Sequence, residues 1–122
     1  MGIDVYAVSS LQADLLLELQ INGLQENLRH CGITMWKSIF KLCTNTDICS
    51  LEWTEVSTLT VQQFYSDAKR VLQHTQDSFT FEFAINADKN TCASSCEAKW
   101  DVIKMCKYLE ICSKYNATLW IC

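Results

Sequence analysis

The stretch that decides the fold is SSCEAKWDVIKMCKYLEICSKYNATLWIC, from Ser94 to Cys122. Ser94-x-x-Glu97 is a capping box, in which a serine hydroxyl and a glutamate satisfy the free N–H groups that open a helix. From about Ser95 to Tyr115 the chain then reads as one long helix. Val102, Cys106, Leu109 and either Cys112 or Ser113 form its inner stripe, and Glu97, Asp101, Lys104, Lys107 and Lys114 its outer one. Acids lead and lysines trail, as the helix dipole favours. Asn116 and Ala117 break the period, and Thr118 to Cys122 reads as a strand. A long helix running into an apolar strand implies a mixed α+β domain. The strand belongs inside a sheet, because a frayed end would expose Leu119, Trp120 and Ile121.

Working outward, Ile3, Val5 and Ala7 alternate with Asp4 and Tyr6, the pattern of a short strand. Phe79, Phe81, Phe83 and Ile85 alternate with Thr80, Glu82 and Ala84, the clearest strand signal in the chain. Ser9-x-x-Gln12 predicts a helix through Leu19, although Asn22-Gly23 is also a hairpin signal. Leu24 to Cys31 reads as helix, ended by Gly32. Thr34 can cap a helix with Trp36, Ile39, Phe40 and Cys43 on one face. Leu51 to Val56 is a possible strand. Thr60-x-x-Gln63 opens a helix with the stripe Val61, Phe64, Ala68, Val71 and Leu72. The architecture expected is two layers: a small, mostly antiparallel sheet of Ile3–Ala7, Phe79–Ile85 and Thr118–Cys122, packed against three or four helices. There is no proline, repeat or low-complexity linker, so 1–122 is expected to be a single domain.

Composition narrows the function classes. With 122 residues, 49% of them hydrophobic, the chain can bury a core. Fourteen acids against ten bases give a net charge of −4 without a basic cluster, which disfavours nucleic acid and suits a protein partner with a basic surface. No apolar run is long enough to span a membrane. The opening lacks a basic region followed by an apolar one, so a cytoplasmic setting is expected. Gly2 lacks the Ser or Thr at position 6 that myristoylation prefers, and the sequon Asn116-Ala117-Thr118 is expected to be silent.

Eight cysteines stand at 31, 43, 49, 92, 96, 106, 112 and 122. Reduced, packed thiols are the ordinary reading of such a chain. An alternative is a zinc or redox site built from Cys43, Cys49, Cys92 and Cys96, because four thiolates suit tetrahedral zinc. Neither pair has Cys-x-x-Cys spacing, so no cofactor is the primary expectation. His30 and His74 read as solvated helix ends. No phosphate loop, dinucleotide fingerprint or Gly-x-Ser-x-Gly is present, which leaves only an enzyme with a composite site as a further alternative. Trp36, Trp53, Trp100 and Trp120 remain. Trp36 belongs to an apolar stripe. Trp100 and Tyr108, with Glu97 and Asp101 beside them, are the candidate partner contacts, since aromatics on an outward helix flank make binding hot spots.

The opening Met1-Gly2-Ile3-Asp4-Val5-Tyr6 resembles that of small uncharacterised bacterial and phage proteins beginning Met-Gly-x-Asp-Val-Tyr-Gly. The resemblance implies a Trp-centred helix at Trp36-Lys37-Ser38-Ile39, an amphipathic helix at Val61 to Gln73, and a late helix leading into the strand Leu119-Trp120-Ile121-Cys122. The chain departs from that pattern with Ala7 in place of Gly, and with no Trp-Arg-Pro at the central helix. The resemblance carries no activity. Its phage and mobile-element setting implies an inhibitor of a host defence system, anti-CRISPR-like, or an immunity protein. Oligomeric state is left open by the sequence.

Overall fold

The computed structural model describes residues 2–74 and 95–122, with side chains in the second segment from Trp100 onward. The chain runs β1 (Val5–Val8), α1 (Gln12–Ile21), a 3-10 turn (Leu28–His30), α2 (Trp36–Thr44), a second 3-10 turn (Ile48–Leu51), β2 (Glu55–Val56), α3 (Thr58–His74), α4 (Ser95–Lys114) and β3 (Thr118–Ile121). It is an α+β fold with a small antiparallel sheet. The expected strand Phe79–Ile85 and the Ser94 capping box lie outside the described residues.

The two ends of the sequence meet in the sheet. β3 is central, with β1 on one side and β2 on the other, both antiparallel. Val5 faces Ile121 and Ala7 faces Leu119. The pairing extends past the strands, since Asp4 N–H donates to the Cys122 carbonyl at 2.8 Å and Cys122 N–H returns the bond at 3.0 Å. Alternation puts Val5, Ala7, Val56, Leu119 and Ile121 in the core.

α4 lies at the centre of the helical layer and packs on α3, α2 and α1. Its expected stripe of Val102, Cys106, Leu109 and Cys112 is buried, and so are Asp101, Met105, Tyr108 and Ile111. A helix contacted from several sides is buried on most of its circumference. Trp36, Ile39, Phe40 and Cys43 of α2 are buried as their spacing requires. Phe40 meets Phe64 of α3 edge-on, with ring centroids 5.3 Å apart. Such a contact adds about 0.5–1.5 kcal/mol to the area buried.

Several local readings change in the folded chain. Asn22-Gly23 ends α1 rather than turning a hairpin. Gly23, at φ +72, donates to Gln20 O, and Leu24 N–H reaches back to Leu19 O at 2.8 Å. This is a Schellman closure sealed by two buried leucines. The expected helix from Leu24 to Cys31 shrinks to the turn Leu28–His30, because residues 26 and 27 pair with the edge of β1. Ala7 N–H donates to Glu26 O, and Asn27 caps the turn through Arg29 N–H. Gln12 does reach back to Ser9 N–H at 2.8 Å, but the Ser9 hydroxyl turns to the Tyr115 carbonyl, so only half of that capping box forms. Met35 rather than Thr34 precedes α2, in a left-handed conformation and without a side-chain cap. Ser57 caps α3 by accepting from Thr60 N–H, while Gln63 turns outward to Asp67. The strand expected over Leu51–Val56 is confined to Glu55–Val56 by a tight turn.

Candidate functional site

Among the described residues, two exposed surfaces carry aromatic side chains: the outer flank of α4 and the open face of the sheet. On α4, Trp100 is 57% exposed, as its helical position implies. The other expected contacts are not beside it on the surface. Tyr108 is fully buried, and its hydroxyl donates to the Glu26 carbonyl at 2.6 Å. Burial pushes its phenol well above the usual range, so it stays neutral. Asp101 is buried as well. The Glu97 side chain lies outside the described residues. The inward turn of Tyr108 follows from the extra faces that α1 and the 26–27 segment impose on α4. A single-stripe reading of the helix does not contain that information.

Beside Trp100 runs a cleft of about 330 Å³ with Leu24, Leu72 and Ile103 in its wall. Lys104 and Lys107 also line it. The Lys104 ammonium lies 5.6 Å from the centre of the Trp100 ring, and Lys107 is bonded to Glu110 at 3.0 Å. This cleft is apolar, and its rim carries two lysines and Glu110, so it lacks an excess of acid to select a basic partner.

The sheet has the opposite character. Its inner residues are core, and its outer residues face solvent. The pairing register aligns Tyr6, Trp120 and Glu55 in one row across three strands. Neighbouring strands lie about 4.8 Å apart, and cross-strand partners project from the same face. Trp120 is 41% exposed, Val8 is 49% exposed, and Glu55 is exposed.

Trp53 stands next to this row at an unusual backbone position. Leu51 to Thr54 form a tight turn closed by Thr54 N–H to Leu51 O at 3.1 Å. Glu52 at φ −56, ψ 135 and Trp53 at φ 65 match a type II turn, whose third residue is ordinarily glycine. Trp53 N–H then donates to Ile121 O, while Ile121 N–H donates to Thr54 O. Two residues of one strand therefore oppose one of the other. This is a β-bulge whose first position, left-handed, is again a glycine position. Holding an L-residue there costs about 1–2 kcal/mol. The indole recovers little by burial, since it is 69% exposed.

Along the segment that carries Trp53 and β2, the charge is one-sided. Between Lys41 and Lys69 the chain has no cation, but it has Asp47, Glu52, Glu55 and Asp67. β1 and β3 contain no charged residue. Arg29, at the outer edge of β1, faces Asp4 at 3.9 Å. Exposed Glu52 and Glu55 flank Trp53 in sequence.

Of the four thiols of the alternative metal or redox site, Cys43 and Cys49 are described. Cys43 is buried, and desolvation pushes its thiol up to about 12, which disfavours the thiolate that a metal needs. Cys49 is exposed. Cys92 and the Cys96 side chain lie outside the described residues. Among the described residues, no three His, Cys, Asp or Glu side chains are grouped to hold a metal ion. Likewise, no described helix is long and apolar enough to cross a membrane.

Tyr6, Trp53, Glu55 and Trp120 were not among the expected contacts. The four tryptophans were a visible signal, but the row depends on pairing between the two ends of the chain. No protein-family model, curated protein or solved structure matches this sequence.

Proposed function

We propose that the chain is a non-enzymatic protein-binding module whose partner presents a basic surface, and that the partner docks on the open face of the sheet. The observation that supports this most is the pairing of exposed aromatics with exposed carboxylates there, on strands that carry no cation of their own. Aromatics supply contact area at small entropic cost, and the acids steer and select a cationic surface. The outer flank of α4, with Lys104 and Lys107 at its cleft, lacks that complementarity. The resemblance of the opening residues to phage proteins favours one form of this reading, an inhibitor of a host defence system or an immunity protein.

Site-specific photocrosslinking in cells of the source organism tests the docking face. A crosslinker at Val8 should trap one partner with a basic surface, in a salt-sensitive complex. A crosslinker at Arg70, exposed on α3, should not. No product from Val8, or the same product from both positions, overturns the reading.

A further inference from the structure

Resting on the reading that a basic partner docks on the sheet, we infer that Tyr6, Trp53 and Trp120, with Glu52 and Glu55, receive a lysine or arginine side chain of that partner, and that Trp53 is the anchor. The turn that carries Trp53 is held by backbone bonds alone: Thr54 to Leu51, Trp53 to Ile121, and Ile121 to Thr54. None of these needs the indole. Glycine would satisfy both the type II turn and the bulge without strain. A large exposed ring at such a position works against local folding, so its use lies outside the fold.

The chemistry of the guest follows from the neighbours. Carboxylates on both sides repel an anion, and a purely apolar guest would leave them desolvated and unpaired. A cation is attracted by the carboxylates and by the face of an indole together. Elsewhere this protein shows how its rings behave when a lysine is within reach. Lys37 lies 5.8 Å from the Trp36 ring centre, Lys104 5.6 Å from Trp100, and Lys114 5.4 Å from Tyr115. Among the described residues no such contact is recorded for Trp53, Trp120 or Tyr6. Trp53 and Trp120 are exposed to a cation supplied from outside, and Tyr6 is half-buried beside Trp120.

The test is an amide and indole NMR titration of the intact chain with an oligo-arginine peptide, an oligo-lysine peptide and a Gly-Ser peptide, at low and high salt. The expected result is shifts at Tyr6, Trp53, Glu55 and Trp120 with the basic peptides only. Trp53→Gly should weaken binding about two- to fivefold, the range of one exposed cation–π contact, while leaving the thermal midpoint no lower. The double variant Glu52→Gln with Glu55→Gln should weaken binding and flatten its salt dependence, which keeps the test valid if the glycine variant misfolds. Trp100→Ala should bind as the parent does. If the basic peptides shift the sheet residues but bind Trp53→Gly unchanged, the anchoring role fails and the docking reading stands; if they bind elsewhere, both fail. If neither basic peptide shifts any residue at low salt, both fail.

Discussion

Trp53 and Trp100 are both exposed indoles, and the difference between them lies in what surrounds the ring. Trp100 sits in regular helix, with Lys104 against its face and an apolar cleft beside it. Trp53 sits in a left-handed turn between two glutamates, its backbone bonded to the strand that carries a second indole. Exposure alone selects neither as a contact for a basic surface. Local charge and backbone cost do: the ring at Trp100 already has a cation, and the ring at Trp53 is held at a glycine position among acids.

The same contrast runs through single strands, where it is sharpest in energy. Leu119 and Trp120 are neighbours on β3, one fully buried and the other on the open face. Leu119→Ala should cost about 2–5 kcal/mol in urea unfolding, as for other buried leucines. Trp120→Thr should cost much less, because threonine suits a strand and little buried area is lost. Equal losses would mean that the outer face is packed, and would break the comparison. Tyr108→Phe should cost about 0.5–1.5 kcal/mol, because the Glu26 carbonyl loses one of its two donors and keeps Ala7 N–H. A neutral result would place that phenol at the surface, as the helix pattern alone suggests.

Trp53→Gly should be neutral or should stabilise by up to about 1–2 kcal/mol, the left-handed cost relieved. A clear loss of stability would show that the indole serves the fold and would sink its assignment to a partner.

The smallest effects are in titration. Unfolded Cys43 titrates near 9 and folded Cys43 at about 12. The folded state therefore holds its proton longer. Its contribution is complete below pH 9 and is lost as pH rises toward 12. At neutral pH, iodoacetamide should label Cys49 well before Cys43 or Cys31, read by mass spectrometry. Early labelling of Cys43 would contradict its burial. Glu18 shifts the other way, below the usual carboxylate range, because Lys114 donates to it at 2.8 Å. Its contribution is present above about pH 4.5 and is lost as pH falls through the folded value. Lys114→Met should flatten that acid limb slightly, as suits an exposed pair.

Local signals carried far where one partner sufficed. The stripes of α2 and of α3 through Ala68, the inner face of β1 and the length of α4 all follow from periodicity, because each needs only one apolar side to bury. Signals failed where a second partner intervened. Residues 24–31 had helical character, but their backbone was drawn to β1. Asn22-Gly23 fits both a hairpin and a helix end, and Leu24 docking on Leu19 selected the latter. At the candidate site, the position of Trp100 between the two stripes allows part exposure and the ring is 57% exposed, whereas Tyr108 and Asp101 turn inward. The row of Tyr6, Trp120 and Glu55 was not legible, because its members are separated by most of the chain.

By itself, then, the sequence determined the α+β class, the presence of a core and the pairing of an apolar terminal strand inside a sheet. These rest on local pattern and on the need to bury apolar surface. Only the tertiary structure decided which aromatics face solvent, and which charges stand beside them. Those properties belong to pairs of segments: strand register joins Tyr6 to Trp120, and the bond from Trp53 to Ile121 holds the turn against β3.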